Sequence, residues 1–317
     1  HNRHSAEKSV KLALSAFRRL GDRMREARAL NQLANIYADN GDEKRALTAY
    51  GRALALNREL GDRIGEGIAQ ANKAIILHKL GRSAESHRVY AEALQIFREV
   101  GHHRYQGHSM FCIARHLHTE GRPSEAKGLS MNALTLLEVV GDQKWTAKVH
   151  IELAKIALEE GTPSVAARHG QLALAIADEL SLASQVAGAL CILGQVAVAE
   201  NDLPRAEALH LRQRSMAEEV GPEITAVADL HLGRVARLRG DEARAIEILN
   251  SCIEQLGPDN NADRAMAHIE MGWMAIERGG EPGEHIQAAT AAHHAAVYLN
   301  PPTARKLAAL EHAANAE

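Results

Sequence analysis

The chain has 317 residues, more than one compact core usually supports, so it forms either two domains or an elongated repeat. Leu, Ala, Glu and Arg are abundant, while aromatic residues make up only 3%, which favours helices over sheets. The net charge is −3 without long runs of one sign, which argues against direct binding to nucleic acids or membranes. Three widely spaced cysteines argue against a disulfide framework and indicate reduced thiols in a cytoplasmic protein.

Residues 1–20 read as a single helix. Ala6 and Ala13 occupy positions that are small in the second helix of each later hairpin, but the first helix of this hairpin is missing. We therefore expect residues 1–20 to be the second helix of an incomplete repeat, cut from a longer protein. An N-terminal capping helix is the alternative.

Residues 21–260 carry a glycine or asparagine roughly every 20 residues. The first series is Gly21, Gly61, Gly101, Gly141 and Gly221, and the second, halfway between, is Gly41, Gly81, Gly121, Gly161, Asn201 and Gly240. Glycine suits a helix C-terminus because it adopts the left-handed conformation without a Cβ clash. The stretches between have apolar residues at three- and four-residue spacing, as in amphipathic helices. This region is expected to contain six hairpins of two helices.

Small residues recur at fixed places in these hairpins. In the first helix they are Ala34, Ala74, Ala114, Ala154, Gly194, Gly233 and Gly272. In the second helix they are Ala46, Ser86, Ala126, Ala166, Ala206 and Ala245, followed by Ala53, Ala93, Ala133, Ala173, Gln213 and Cys252. Small side chains at both contact points allow two helices to cross closely.

This pattern resembles the tetratricopeptide repeat in its 40-residue form. Such arrays occur in large bacterial transcription regulators of the antibiotic-regulatory and maltose-regulator types, in kinesin light chains and in partitioning-defect adaptors. The resemblance implies an all-α, right-handed superhelical solenoid of about seven and a half repeats. Residues 261–300 are expected to form a degenerate seventh repeat that lacks the pattern of the second helix, and residues 301–317 a capping helix and tail.

Catalytic motifs are absent from the sequence, so no enzymatic activity and no cofactor are expected. His108, Cys112 and His116 share one helical face and could hold a zinc ion, but a fourth ligand is missing. Burial of these residues in the core is the simpler interpretation, and clustered histidines could also sense pH.

The resemblance also indicates a binding surface, because the first helices line the concave groove of a tetratricopeptide array. Of 28 groove positions, six are Arg or Lys and none is Asp or Glu, which predicts a positive wall. Phe111 and Trp273 are expected to be apolar anchors there. The candidate ligand-binding residues are Arg28, Asn31, Asn35, His78, Phe111, Arg115, His118, Lys148, Lys155, Gln195, Arg234, Arg237 and Trp273.

These features predict a non-catalytic scaffold that binds an acidic peptide or protein segment, as the partner-binding or sensory module of a larger bacterial regulator. A sensor of a small anionic effector is the first alternative. A structural module that forms a homodimer through its outer helices or its N-terminal helix is the second.

Overall fold

The computed structural model describes residues 2–221, 223–256, 261–295 and 301–315, and these form helices joined by short turns, with no strand among them. The helices are α1 (Asn2–Leu20), α2 (Arg23–Asp39), α3 (Glu43–Leu60), α4 (Arg63–Lys79), α5 (Ser83–Glu99), α6 (His103–Thr119), α7 (Pro123–Val139), α8 (Gln143–Glu159), α9 (Pro163–Glu179), α10 (Ala183–Ala199), α11 (Leu203–Ser215), α12 (Ala217–Val220), α13 (Glu223–Leu238), α14 (Glu242–Gln255), α15 (Asn261–Glu277), α16 (Gly283–Ala295) and α17 (Pro301–Ala314). The predicted all-α array of helical hairpins is confirmed.

The chain divides into two compact units. The first contains His1–His116 and Thr135–Val140, and the second contains Leu117–Leu134 and Gly141–Glu317. We call the first helices of the hairpins A helices (α2, α4, α6, α8, α10, α13 and α15) and the second helices B helices (α3, α5, α7, α9, α11, α14 and α16).

The Gly-Asp pairs end one helix and begin the next. Gly61 has a φ of 69°, the left-handed conformation that closes α3. The side chain of Asp62 then accepts a hydrogen bond of 2.9 Å from the Gly65 amide, which caps the N-terminus of α4. The same aspartate cap recurs at Asp22, Asp42, Asp142, Asp202 and Asp241. These caps explain why the glycine spacing predicts the helix ends.

Two turns depart from the expected pattern. Ser181, which the glycine series passed over, takes the left-handed conformation with a φ of 53°. The expectation that a B helix runs to Gly221 was wrong, because α11 ends at Ser215 and the short helix α12 follows. The Ser215 hydroxyl bonds to the Arg212 carbonyl, and the Met216 amide bonds to the Gln213 carbonyl, which tightens the last turn of α11.

The predicted small residues lie where A and B helices cross. Between residues 34 and 252, every alanine of the small-residue series is fully buried, as are Ser86 and Cys252, so their role in packing is confirmed. Gly194 shows why the positions stay small: a Cβ there would lie 2.3 Å from the His210 ring of α11. The core of each unit is thus a series of close helix crossings.

The last hairpin retains both helices. Residues 283–295 form α16 even though they lack the small-residue pattern of the other B helices, and α16 packs against α15 with Ala289 fully buried. The prolines at 301 and 302 begin α17, whose Leu307 and Leu310 are buried against the same hairpin. The boundary expected at residues 300 and 301 falls partly outside the described residues.

Candidate ligand-binding walls

The A helices lie side by side within each unit, so each unit has a wall of A-helix side chains. In the first unit, the Asn72 amide of α4 is 3.5 and 3.4 Å from the side-chain oxygens of Asn31 and Asn35 of α2. The rings of His78 in α4 and His116 in α6 stack with centroids 3.4 Å apart. Helices α2, α4 and α6 are therefore neighbours, and we call their shared face the first-unit wall.

Four predicted ligand-binding residues remain open on the first-unit wall. Arg28, Asn35 and Arg115 are exposed and Asn31 is half-buried. In the described part of the chain, neither Arg28 nor Arg115 forms an ion pair with a carboxylate. The guanidinium of Arg115 lies 5.8 Å from the centroid of the Phe111 ring, within the range of a cation–π contact.

Tyr50 orients one of the asparagines. Its hydroxyl, on B helix α3, donates a 2.6 Å hydrogen bond to the Asn35 side-chain oxygen. Burial raises the pKa of Tyr50, so the phenol stays protonated and acts as the donor. Within the described residues, the amide nitrogens of Asn31 and Asn35 have no protein acceptor, which leaves them able to donate to a ligand.

Two other predicted residues of this wall are buried. Phe111 is 3% exposed and His78 is 7% exposed. The expectation that Phe111 is an exposed anchor was wrong, because its ring is packed into the core under Arg115. His78 is covered by His116, so both side chains support the wall and offer it no reactive surface.

The second-unit wall, formed by α8, α10, α13 and α15, is neutralised at one end by glutamates. His118, at the end of α6, contacts Glu152 of α8 at 2.6 Å and Glu159 at 2.9 Å. Burial disfavours the charged imidazole, but its hydrogen bonds to the two carboxylates, which accept them, outweigh burial and raise the pKa of His118 to about 9. His118 is therefore a cation that its own chain has already paired.

The two predicted arginines of α13 are paired in the same way. Arg237 lies 3.0 Å from Glu270 of α15 and also contacts Glu277, while Arg234 is 3.5 Å from Glu270. Glu270 is 4% exposed, so its charge is held inside the wall. The expectation of a uniformly positive wall is thus wrong at His118, Arg234 and Arg237, because carboxylates of the same chain pair with these side chains.

Trp273 is half-buried beneath the chain's own last helix. It packs against a cluster that contains Leu307 and Leu310 of α17 together with Ile269 of α15. An incoming ligand therefore meets α17 before it meets Trp273, which corrects the expectation of an open anchor at this position.

Three predicted residues of the second-unit wall are differently placed. Lys155 is exposed and forms no ion pair within the described residues. Lys148 is half-buried, with its ammonium 4.4 Å from the centroid of the Trp145 ring. The Gln195 amide lies 3.4 Å from the Cys191 sulfur on the same helix.

Sequence reasoning missed the acidic partners because they stand one residue outside the groove positions. Glu152, Glu159, Glu270 and Glu277 each directly follow a groove residue. A strict stripe of groove positions omits them, whereas long carboxylate side chains reach back across the helix face. The recurrence of Glu at the same place in α8 and α15 was the available signal.

Several histidines of neighbouring helices lie in pairs. Among the described residues, no group of three or more His, Cys, Asp or Glu side chains could hold a metal ion. His116 instead stacks on His78 with an interplanar angle of 5°, and burial followed by the charge of its neighbours lowers its pKa to about 2. A neutral, stacked imidazole is a packing element.

Two cavities lie away from the predicted groove residues. One of about 260 Å³ lies between α11, α13 and α14, and one of about 290 Å³ lies between α1, α2 and α3. Neither includes a residue predicted to bind a ligand, so the small-molecule hypothesis gains no support from them.

No helix in the described part of the chain has the length and apolarity needed to cross a bilayer.

Residues 25–99, which span most of α2 and all of α3, α4 and α5, match the tetratricopeptide repeat family. The hairpins form an array of the tetratricopeptide type. The 40-residue spacing, the buried small residues and the aspartate-capped turns continue this repeat beyond the matched segment. No curated protein matches the sequence significantly.

Solved tetratricopeptide-type structures share the fold at low sequence identity. The apo form of the quorum sensor NprR from B. thuringiensis has a TM-score of 0.69 and 14% identity, over 91% of this chain and 83% of that one. The Rap conjugation gene regulator of plasmid pLS20, in complex with the Phr* peptide, has a TM-score of 0.66 and 13% identity, over 86% and 74%.

A third similar structure belongs to a much longer protein. It is a signal transduction ATPase with numerous domains from Pyrococcus horikoshii, which has a tetratricopeptide repeat sensor. The TM-score is 0.57 at 16% identity, and the match covers 73% of this chain but only 36% of that one. At these identities, the likeness concerns the fold alone.

Proposed function

We propose that this chain is a non-catalytic scaffold that binds a peptide or protein segment on the A-helix face, with the first-unit wall as its main site. The observation that carries the proposal is the open polar row of Arg28, Asn31, Asn35 and Arg115 on helices that are already packed. The Rap regulator holding the Phr* peptide supports it, because that protein has the same fold and binds a peptide.

The chemistry of the row favours an acidic peptide. An asparagine amide donates to main-chain carbonyl groups whatever the sequence of the peptide, and an exposed arginine pairs with a carboxylate in a bidentate manner. The helices hold these groups at fixed spacing, so little free energy is lost in ordering the receptor when the ligand binds.

The similarity to NprR and to a tetratricopeptide sensor extends the proposal to a role. We infer that the chain is the partner-binding or sensory part of a larger bacterial regulatory protein that acts in the cytoplasm. A quorum sensor and a signal transduction ATPase both carry such an array, which supports this role.

The test is selection of ligands from a random-peptide library on the immobilised full chain. We expect enrichment of peptides with two or more carboxylates, since only these can engage both arginines. The selected peptide is then titrated against the Arg28→Glu, Arg115→Glu double variant by fluorescence anisotropy. Affinity should fall by at least about 100-fold, because two charge-assisted contacts of about 1.5–3 kcal/mol each are lost and become repulsive.

The control places the same charge change on the B helices. Arg52 of α3 and Arg88 of α5 are exposed, and the Arg52→Glu, Arg88→Glu variant should bind the selected peptide nearly as well as the unmodified chain. Equal loss in both double variants would indicate general charge attraction and would refute the site. Selection of neutral or basic peptides would refute the ligand chemistry.

A further inference from the structure

The C-terminal helix α17 lies across the second-unit wall. Leu307 and Leu310 are 6% and 0% exposed and join Ile269 and Trp273 of A helix α15 in one apolar cluster. The contact at Gly272 is close, since a Cβ there would lie 2.6 Å from a Leu310 methyl group. The apolar side of α17 is therefore fitted to α15.

The basic side of α17 points to acidic residues of several A helices. The Arg305 guanidinium lies 3.4 Å from Glu159 of α8, which is 146 residues earlier in the chain. Burial lowers the pKa of the neighbouring Lys306, and Arg234 adds to this, while Glu270 and Glu159 act in the opposite direction. Lys306 therefore lies among charged groups of α8, α13 and α15.

The apolar face by which α17 packs on the hairpin is narrow. Among its described side chains, Thr303, Leu307 and Leu310 are buried, and five of the eleven other residues of α17 are alanines. The pair between Arg305 and Glu159 is partly exposed, and solvent screens pairs of this kind, so that they add little stability. Another helix with the same apolar and basic side chains would fit the same surface.

We propose that the second-unit wall is a docking surface for an amphipathic helix with two adjacent basic residues, and that α17 occupies it as an internal competitor. A partner helix must present leucine-like side chains three residues apart toward Trp273 and Ile269. Its basic pair must face Glu159 and Glu270. Binding of such a partner displaces α17. The inference rests on the proposed binding function but concerns a different unit and a basic ligand, so either can fail alone.

The test uses a fluorescein-labelled peptide with the sequence of residues 301–315 and the full chain. In the Arg305→Glu, Lys306→Glu chain, the internal helix loses its charge complementarity and frees the wall. The labelled peptide should bind this variant at least about tenfold more tightly than the unmodified chain, because occupancy by α17 lowers the apparent affinity. A peptide with the same two reversals should not bind the variant.

The matched control adds acidic residues on the exposed side of the same helix. Ala308 and Ala309 are exposed, so the Ala308→Glu, Ala309→Glu chain should bind the labelled peptide no better than the unmodified chain does. Equal affinity of the peptide for the unmodified chain and the Arg305→Glu, Lys306→Glu chain would overturn the proposal, since α17 would then be a fixed cap.

A second measurement needs no substitution. Hydrogen exchange is followed in the unmodified chain with and without a saturating amount of the same peptide labelled with ¹³C, so that its fragments are distinguished from those of α17. Exchange of the α17 amides should accelerate at least about tenfold when the peptide takes its place. Unchanged exchange would overturn the proposal even if the variant chain failed to fold.

Discussion

Single residues at the helix crossings decide how closely the A and B helices pack. Gly194 faces His210, whose ring is fully buried, is hydrogen-bonded to Gln213 at 3.1 Å and is stacked on His231. The ring therefore cannot swing away from an added methyl group. The small residue that the sequence pattern predicts at this position is a geometric requirement set by the histidine opposite.

Gly194→Ala should destabilise the array by roughly 1–3 kcal/mol, because its Cβ would lie 2.3 Å from the His210 ring. The comparison is Gly128→Ala in α7, where nothing lies within 4 Å of the added Cβ. There the better helix propensity of alanine should add about 0.5–1 kcal/mol. Urea unfolding of both variants tests this, and equal stabilities would contradict the packing assigned to Gly194.

His118 illustrates what the sequence does not reveal about a single residue. The sequence pattern predicts that His118 is a groove residue. It does not predict its two partners, Glu152 and Glu159 of α8, which lie 34 and 41 residues further along the chain. The groove positions alone do not show which side chains of the next A helix contact His118, because this depends on how the two helices pack. The charge of a wall residue is therefore predictable, whereas its availability to a ligand is not.

His118 should titrate with a pKa of about 9, because Glu152 and Glu159 stabilise its cation. This value lies above the ordinary 6.5, so the stabilisation is complete below pH 6.5 and is lost as the pH rises toward 9. Proton NMR of the imidazole between pH 5 and 10, assigned with a His118→Gln variant, measures it. A midpoint near 6.5 would show that the two carboxylates do not hold the ring.

At the scale of helices, histidines join neighbouring elements in pairs. The Nδ1 atoms of His150 in α8 and His169 in α9 are 3.0 Å apart. Burial, together with the neighbouring His169 and Arg168, lowers the pKa of His150 to about 4. Burial also lowers the pKa of five further histidines, His116, His169, His210, His231 and His268.

These helix contacts should weaken in acid. Each buried histidine stays neutral in the folded chain but gains a proton in the unfolded chain below about pH 6.5, so stability is constant above that pH and falls below it. The loss approaches about 1.4 kcal/mol per pH unit for each histidine that is fully held neutral. His118 adds no slope below pH 6.5, because its stabilisation is gained between pH 9 and 6.5 and is already complete there.

Thermal unfolding at pH 7.5 and 5.5 measures this effect. The midpoint should be clearly lower at pH 5.5, and the difference should shrink in the His150→Gln, His169→Gln variant, which lacks one pair. A variant that loses as much stability in acid as the unmodified chain would show that this pair does not carry the pH dependence.

Helix boundaries were predictable where one residue type is required. A left-handed C-terminus followed by an aspartate cap favours Gly-Asp, which occurs at residues 21, 41, 61, 141 and 240. Ser181 was not predictable because a serine rarely takes a φ of 53°. The early end of α11 was not predictable either, since Gly221 suggested a longer helix and the break occurs at Ser215 and Met216.

At the scale of the whole molecule, the two units present different A-helix walls. The first-unit wall keeps Arg28, Asn31, Asn35 and Arg115 open, and the second-unit wall pairs most of its charges internally and carries α17. The sequence predicts both walls as a single basic stripe. It could not distinguish them, because the difference lies in the glutamates of adjoining helices and in where the last helix lies.

Binding of ligands on the A helices can be located by photo-cross-linking. The full chain is irradiated with the selected acidic peptide, which carries one benzophenone residue, and the linked fragments are identified by mass spectrometry. We expect cross-links within α2, α4 and α6, and their loss in the Arg28→Glu, Arg115→Glu variant. Cross-links confined to the B helices α3 and α5 would be incompatible with a site on the A-helix face.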